Sequence, residues 1–152
     1  MNLSEVSKQL LDAKRKSNLT FMDIGQKLGH DEVWVAALFY GQASFPDEKE
    51  CQKLLDILNA NLTSEQIREL THPPHKGATL ESLPPRDPLL YRFHEILLQY
   101  GVPIKEVIHE KFGDGIMSAV DFTVKVDKDE TMKEAPRVNI TMSGKFLPYK
   151  RW

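Results

Sequence analysis

Residues 86–121, RDPLLYRFHEILLQYGVPIKEVIHEKFGDGIMSAVD, carry the signals that decide the fold. Asp87-Pro88 marks a helix start: the Asp side chain can accept from free first-turn amides, and Pro at the first helical position has no N–H to lose. The pattern predicts a helix over 89–100 ended by Gly101, then a second helix opened by Pro103 and closed by Gly113. Leu89, Leu90, Phe93, Ile96, Leu97 and Tyr100 supply an apolar stripe, and Arg92 and Glu95, three apart, share a face. After the turn at Asp114-Gly115, Ser118 falls in a spacing-two series with Ile116, Val120, Phe122, Val124 and Val126, as in a strand. A hydroxyl on an apolar face costs free energy unless it has a partner. The ordinary readings are an exposed ion pair of small worth and a Ser bonded to local backbone. Spacing alone therefore makes Arg92, Glu95 and Ser118 candidates and no more.

Downstream, 119–127 and 137–145 alternate apolar and polar positions, predicting two strands joined by a charged loop over 128–136. Val120, Phe122, Val124 and Val126 form one face, and Val138, Ile140 and Met142 its counterpart. Two strands alone are marginal in water, and the chain holds few further strand signals. A second copy of the protein is the expected cover, so the hairpin argues for at least an obligate dimer.

Upstream, the segment 71–86 holds four of the nine prolines and reads as an extended connector. The expected organisation is a helical bundle at 1–72, a Pro-rich linker at 73–86 and a dimerisation domain at 87–152 that carries the candidate residues. His72 and His75 are a possible metal fragment, but no Cys or second close pair joins them. In the bundle, Leu3, Val6, Leu10, Leu11 and Ala13 fall at helical spacing. Thr20 can cap a short helix with Phe21, Ile24 and Leu28; Gly29 turns the chain; the next helix carries Val33, Trp34, Ala37 and Leu38. Pro46 is expected to open another helix through Cys51 and Leu58, and Ser64 to cap a last one over 65–70.

Helix, glycine turn, helix is the pattern of a helix-turn-helix DNA reader. A recognition helix needs Arg, Lys, Asn or Gln at base edges and basic residues on phosphates. Residues 31–41 contain no Lys or Arg, and the helix opens with Asp31-Glu32. Residues 1–72 hold 8 Lys+Arg against 11 Asp+Glu, a net −3 that opposes a phosphate backbone. The bundle is read as an assembly module, with Trp34, Phe39 and Tyr40 as apolar contacts, and no nucleic-acid partner is expected.

The whole-chain charge of −2 over 152 residues also argues against a nucleic-acid binder, and 41% hydrophobic with 28% charged residues argues against disorder. The N-terminus lacks the apolar core of a signal peptide, no run is long enough to span a membrane, and the single Cys51 can form no internal disulfide. A cytoplasmic protein without membrane contact is expected. Neither His94-Glu95 nor His109-Glu110 has a second His four residues on, as zinc-protease helices require. Gly113-Asp-Gly115-Ile-Met-Ser118 misses the third Gly of a dinucleotide fingerprint and runs helix to strand. Cys51 lies on an apolar helical face, which suits an inert buried thiol.

The run Asp87-Pro88, Tyr91-Arg92-Phe93, Glu95, Tyr100-Gly101, His109 through Ile116, and Ser118-Ala119 resembles the signature region of the cyanase family, also called cyanate hydratase or cyanate lyase. The ending Gly144-Lys145-Phe146-Leu147-Pro148-Tyr149 is similar too, and the likeness spans essentially the whole chain. It implies an α+β fold: an N-terminal helical bundle resembling a DNA-binding domain, then a small α/β-hairpin domain that intertwines with a partner subunit. It further implies a homodecamer built from dimers, and bicarbonate-dependent decomposition of cyanate to ammonia and carbon dioxide through carbamate. Arg92, Glu95 and Ser118 match the family's catalytic set. No cofactor or metal is implied, since bicarbonate is a substrate. The rival readings are a helix-turn-helix transcriptional regulator and a catalytically silent oligomeric binding protein.

Overall fold

The computed structural model describes residues 3–74, 84–132 and 134–151. The chain divides into two compact units, Met1–Leu80 and Glu81–Trp152. Most of the Pro-rich connector, with His75, lies outside the described residues.

The first unit contains α1 (Glu5–Ser17), α2 (Phe21–Leu28), α3 (Glu32–Phe39), α4 (Glu48–Leu58) and α5 (Ser64–Thr71). Helices this short are marginal alone, so caps and burial must hold them. Side-chain oxygens of Ser4, Thr20, Asp31, Asp47 and Thr63 accept from first-turn amides of the five helices in turn. Two starts differ from expectation. Thr63, not Ser64, caps α5, because Gln66 lies three residues on and closes a reciprocal capping box. Asp47, not Pro46, opens α4, because its carboxylate reaches the Glu50 amide at 2.9 Å. In the other capping box, the Thr20 hydroxyl and amide hold the Asp23 carboxyl below its ordinary range. A lowered carboxylate contributes stability above its unfolded pKa, and that contribution is lost as pH falls through the folded value.

The core of this unit is Val6, Leu10, Ile24, Val35, Leu38, Phe39, Phe45, Cys51, Leu54, Leu55, Leu58 and Leu70. Phe39 is fully buried and meets the edge of Phe21 at 5.3 Å, so it is core rather than the assembly contact expected of it. Trp34 and Tyr40 pack half-buried against the same cluster. Between α2 and α3, Gly29 takes φ +78, the left-handed conformation that lets the helix end and the chain turn within two residues.

The second unit contains α6 (Pro88–Phe112), β1 (Gly115–Asp129) and β2 (Arg137–Pro148). Asp87 caps α6 by accepting from the Leu89 and Leu90 amides at 2.9 and 3.0 Å. The expected break at Gly101 and Pro103 is overturned: α6 is one helix of 25 residues with Pro103 inside it. Proline's fixed φ is itself helical, and its cost is one lost bond to the carbonyl four residues back. Gly101 does not enter the left-handed region, whereas Gly113, at φ +88, does and ends the helix. The apolar spacing also runs on unbroken through Phe93, Ile96, Tyr100, Ile104 and Val107.

The strands are longer than expected and pair antiparallel in two blocks. Gly115–Met117 pair with Pro148–Phe146, and after an irregularity Phe122–Asp129 pair with Gly144–Arg137. Residues 118–121 therefore stand opposite Lys145 alone, and the spacing-two series predicted through Ser118 is interrupted by a bulge. No residue of α6 is buried, and Val120 on the bulge is 97% exposed.

The fold gives one direct expectation for Cys51. Burial, with Glu48 nearby, pushes its thiol pKa up to about 11, and the side chain is fully enclosed. An alkylating reagent at pH 8 should leave the native protein unmodified and label it rapidly once denatured, as read by mass spectrometry. Fast native labelling would show that the core opens at Cys51.

Candidate active site

Arg92 and Glu95 sit in the first two turns of α6, just after the Asp87 cap. Nη1 of Arg92 donates to Oε2 of Glu95, with the side chains 69% and 32% exposed. The Arg92 guanidinium also lies 5.9 Å from the centre of the Tyr91 ring. An exposed pair of this kind adds at most about 1 kcal/mol, so the fold does not depend on it. Chemically, Glu95 steadies one nitrogen of a planar fork that has five N–H donors, leaving the rest of the fork to face an anion.

Ser118 is buried, at the start of the bulge. Its Oγ accepts from the Val120 amide at 3.1 Å and the Asp121 amide at 2.9 Å. The expected local-backbone role is therefore real, and it has a chemical consequence. A hydroxyl has two acceptor lone pairs and one proton, and here both lone pairs are engaged. Among the described residues no oxygen accepts the proton. Its free capacity is therefore donation, and among the described residues no base is hydrogen-bonded to it.

Arg92 and Glu95 are together, and among the described residues neither shares a hydrogen bond or ion pair with Ser118. The side-chain contacts between α6 and the hairpin lie at the C-terminal end of the helix. Phe112 meets Phe146 at 5.3 Å, and His109 Nε2 lies 3.3 Å from the Gly115 carbonyl. At 1.5 Å per residue, Arg92 stands about 25 Å up the helix from His109.

Other polar candidates are accounted for structurally. His72 Nδ1 lies 2.9 Å from the Arg68 carbonyl at the end of α5, and His94 packs beside Tyr91. Among the described residues no group of three or more His, Cys, Asp or Glu could hold a metal ion, and no helix is long and apolar enough to cross a membrane. The Asp31 carboxylate accepts from the Val33 amide at 2.9 Å, so a carboxylate occupies the end of α3 that a DNA phosphate would need. Sequence reasoning passed over Gly144, which packs against the Ser118 backbone. A glycine inside a strand was the available signal, since it often marks a bulge or close backbone approach.

The chain is thus an α+β protein whose helix-turn-helix-like unit has an acidic, not basic, start to α3. Comparison with known proteins makes the assignment specific. The family model for the cyanate lyase C-terminal domain matches residues 82–151. A cyanate hydratase of Prochlorococcus marinus (strain NATL2A) is 55% identical over all 152 residues, covering 100% of both chains. One from Synechocystis sp. is 52% identical over 150 residues, covering 99% of this chain and 97% of that one. A crystal structure of cyanase from T. urticae superposes with a TM-score of 0.82 at 36% identity, covering 95% of this chain and 97% of the other. The chain belongs to the cyanate hydratase family, and its fold is the α+β fold of that family.

Proposed function

We propose that this protein is a lyase that decomposes cyanate with bicarbonate, and that Arg92, Glu95 and Ser118 carry the reaction. Full-length similarity to cyanate hydratases is the observation that carries this reading. The chemistry balances without a cofactor. A bicarbonate oxygen attacks the cyanate carbon, and the bicarbonate proton moves to nitrogen, giving a dianionic adduct. One further proton on nitrogen allows carbon dioxide to leave, and carbamate remains. A second proton splits carbamate into ammonia and another carbon dioxide.

Two anions must be held together against their repulsion, and the charge on the adduct must be stabilised. The Arg92 fork supplies charge and paired donors to carboxylate-like oxygens. Glu95 orients that fork or relays the proton to nitrogen. The Ser118 hydroxyl, with its lone pairs engaged by Val120 and Asp121, donates to a substrate oxygen. Holding both reactants in place supplies much of the remaining rate gain.

The site is completed by a second copy of the chain. Arg92 stands about 25 Å up α6 from His109, where the helix meets the start of the hairpin, and among the described residues no hydrogen bond or ion pair joins Arg92 or Glu95 to Ser118. The apolar surface of α6, from Leu89 through Val107, stays exposed in the single chain, as do Val120 and Val138 of the hairpin. Apolar area of this extent marks an interaction surface. A dimer is the unit that covers it, and the decamer implied by the resemblance is the expected larger assembly, built in a cytoplasmic protein.

Ammonia release from cyanate, on protein freed of dissolved carbon dioxide, should be strong with added bicarbonate and near background without it. Release indifferent to bicarbonate would remove the second substrate. Arg92→Lys should retain the assembled mass by light scattering but lose about a hundredfold in kcat/KM, because an ammonium cannot reproduce the fork. Near-normal turnover in that variant would take Arg92 out of its role. Dilution or mild denaturant that yields monomers by sedimentation should abolish activity, and a fully active monomer would refute a shared site.

A further inference from the structure

Gly144 stands on β2 where the ladder resumes after the bulge, paired with Phe122. Its backbone does not enter the left-handed region, so conformation does not demand glycine there. Space does. A Cβ at this position would stand 2.3 Å from the Ser118 carbonyl oxygen, 2.7 Å from Met117 Cγ and 3.4 Å from Phe122 Cδ2. The Met117 side chain can rotate away, since it is flexible and 41% exposed. The Ser118 carbonyl is backbone, so no rotamer change relieves that contact. The bulge itself must shift, and the Ser118 hydroxyl moves with it, tied to the Val120 and Asp121 amides.

We propose that Gly144 is a positioning residue for the reaction: the missing side chain lets the Ser118 backbone lie against β2 and thereby sets where the hydroxyl proton points. This rests on the reading of Ser118 as a donor to substrate. A displacement of about 1 Å at a reacting group can cost about a hundredfold in rate. A purely structural glycine would instead lower stability without regard to Ser118. Gly115 is the control for crowding without Ser118, because a Cβ there would be 2.5 Å from the Leu147 carbonyl oxygen, 2.5 Å from Phe146 Cζ and 2.9 Å from Pro148 Cα, on the same ladder but outside the bulge.

The test is a double-mutant cycle on assembled oligomers, reading kcat/KM for cyanate at saturating bicarbonate. Gly144→Ala and Ser118→Ala should each lose about a hundredfold, and the double variant should lie within about threefold of Ser118→Ala alone. Gly115→Ala combined with Ser118→Ala should show losses that multiply. Multiplying losses for Gly144→Ala, or near-normal activity in that single variant while Ser118→Ala is impaired, would overturn the role of Gly144 and leave Ser118 intact. Full activity in Ser118→Ala would overturn the donor reading and this inference together. Should Gly144→Ala fail to assemble, Met117→Ala/Gly144→Ala leaves the carbonyl contact as the main clash and enters the same cycle. Failure of that variant too would make Gly144 a folding residue and overturn the proposal.

Discussion

The second unit cannot cover its own apolar surface, and most of what distinguishes this chain depends on that. A helix of 25 residues and a two-stranded hairpin meet at Phe112 and Phe146 and at His109 and Gly115, and no residue of α6 is buried. The first unit faces the opposite situation, with five short helices closing over Phe39, Phe45 and Leu54. The hydrophobic effect is thus satisfied within the chain in one unit and left open in the other. A partner is needed by the second unit for the same reason that a core is needed by the first. Continuity of α6 is part of this, because an uninterrupted helix carries Arg92 about 25 Å from His109, where the hairpin begins.

The bulge on β1 turns a burial problem into chemistry. Ser118 sits within an apolar stretch where an unpaired hydroxyl would be costly, and the chain resolves this by curling the next residues back so that two amides donate to it. The amides of Val120 and Asp121 are satisfied at the same time, which a bulge otherwise leaves to solvent. Saturating the lone pairs leaves donation as the remaining capacity of the hydroxyl. On the proposed reading, Arg92 supplies charge and Ser118 supplies a directed proton.

Much of this was legible in the residues, and the failures have physical causes. Asp87-Pro88 announced the start of α6, and Gly113 its end, because cap chemistry is local. Gly101 and Pro103 misled because both are helix breakers by propensity, whereas the apolar period running through Ile104 and Val107 favoured continuation. Period two announced the strands but could not show the bulge, since alternation resumes in step after residues 118–121. Thr63 and Asp47 displaced Ser64 and Pro46 as helix starts by one residue each, a choice made by side-chain reach to one amide. The residues proposed for the site were found through resemblance. Spacing alone would have left an Arg/Glu pair and a serine indistinguishable from surface decoration.

The bundle shows why architecture is a weak guide to role. The turn from α2 to α3 has the helix-turn-helix form, down to the left-handed Gly29. What opposes DNA binding is the electrostatics laid on that form. The Asp31 carboxylate takes the α3 amide a phosphate would seek, Glu32 follows it, and no Lys or Arg lies between Asp31 and Gly41. Trp34, which could face a groove, is stacked on His30 at 4.1 Å and set against Phe45 at 5.8 Å. The helix that would read bases is therefore committed to its own unit's packing and carries the charge a duplex repels. The same topology serves either purpose, and the side chains at the start of one helix choose between them.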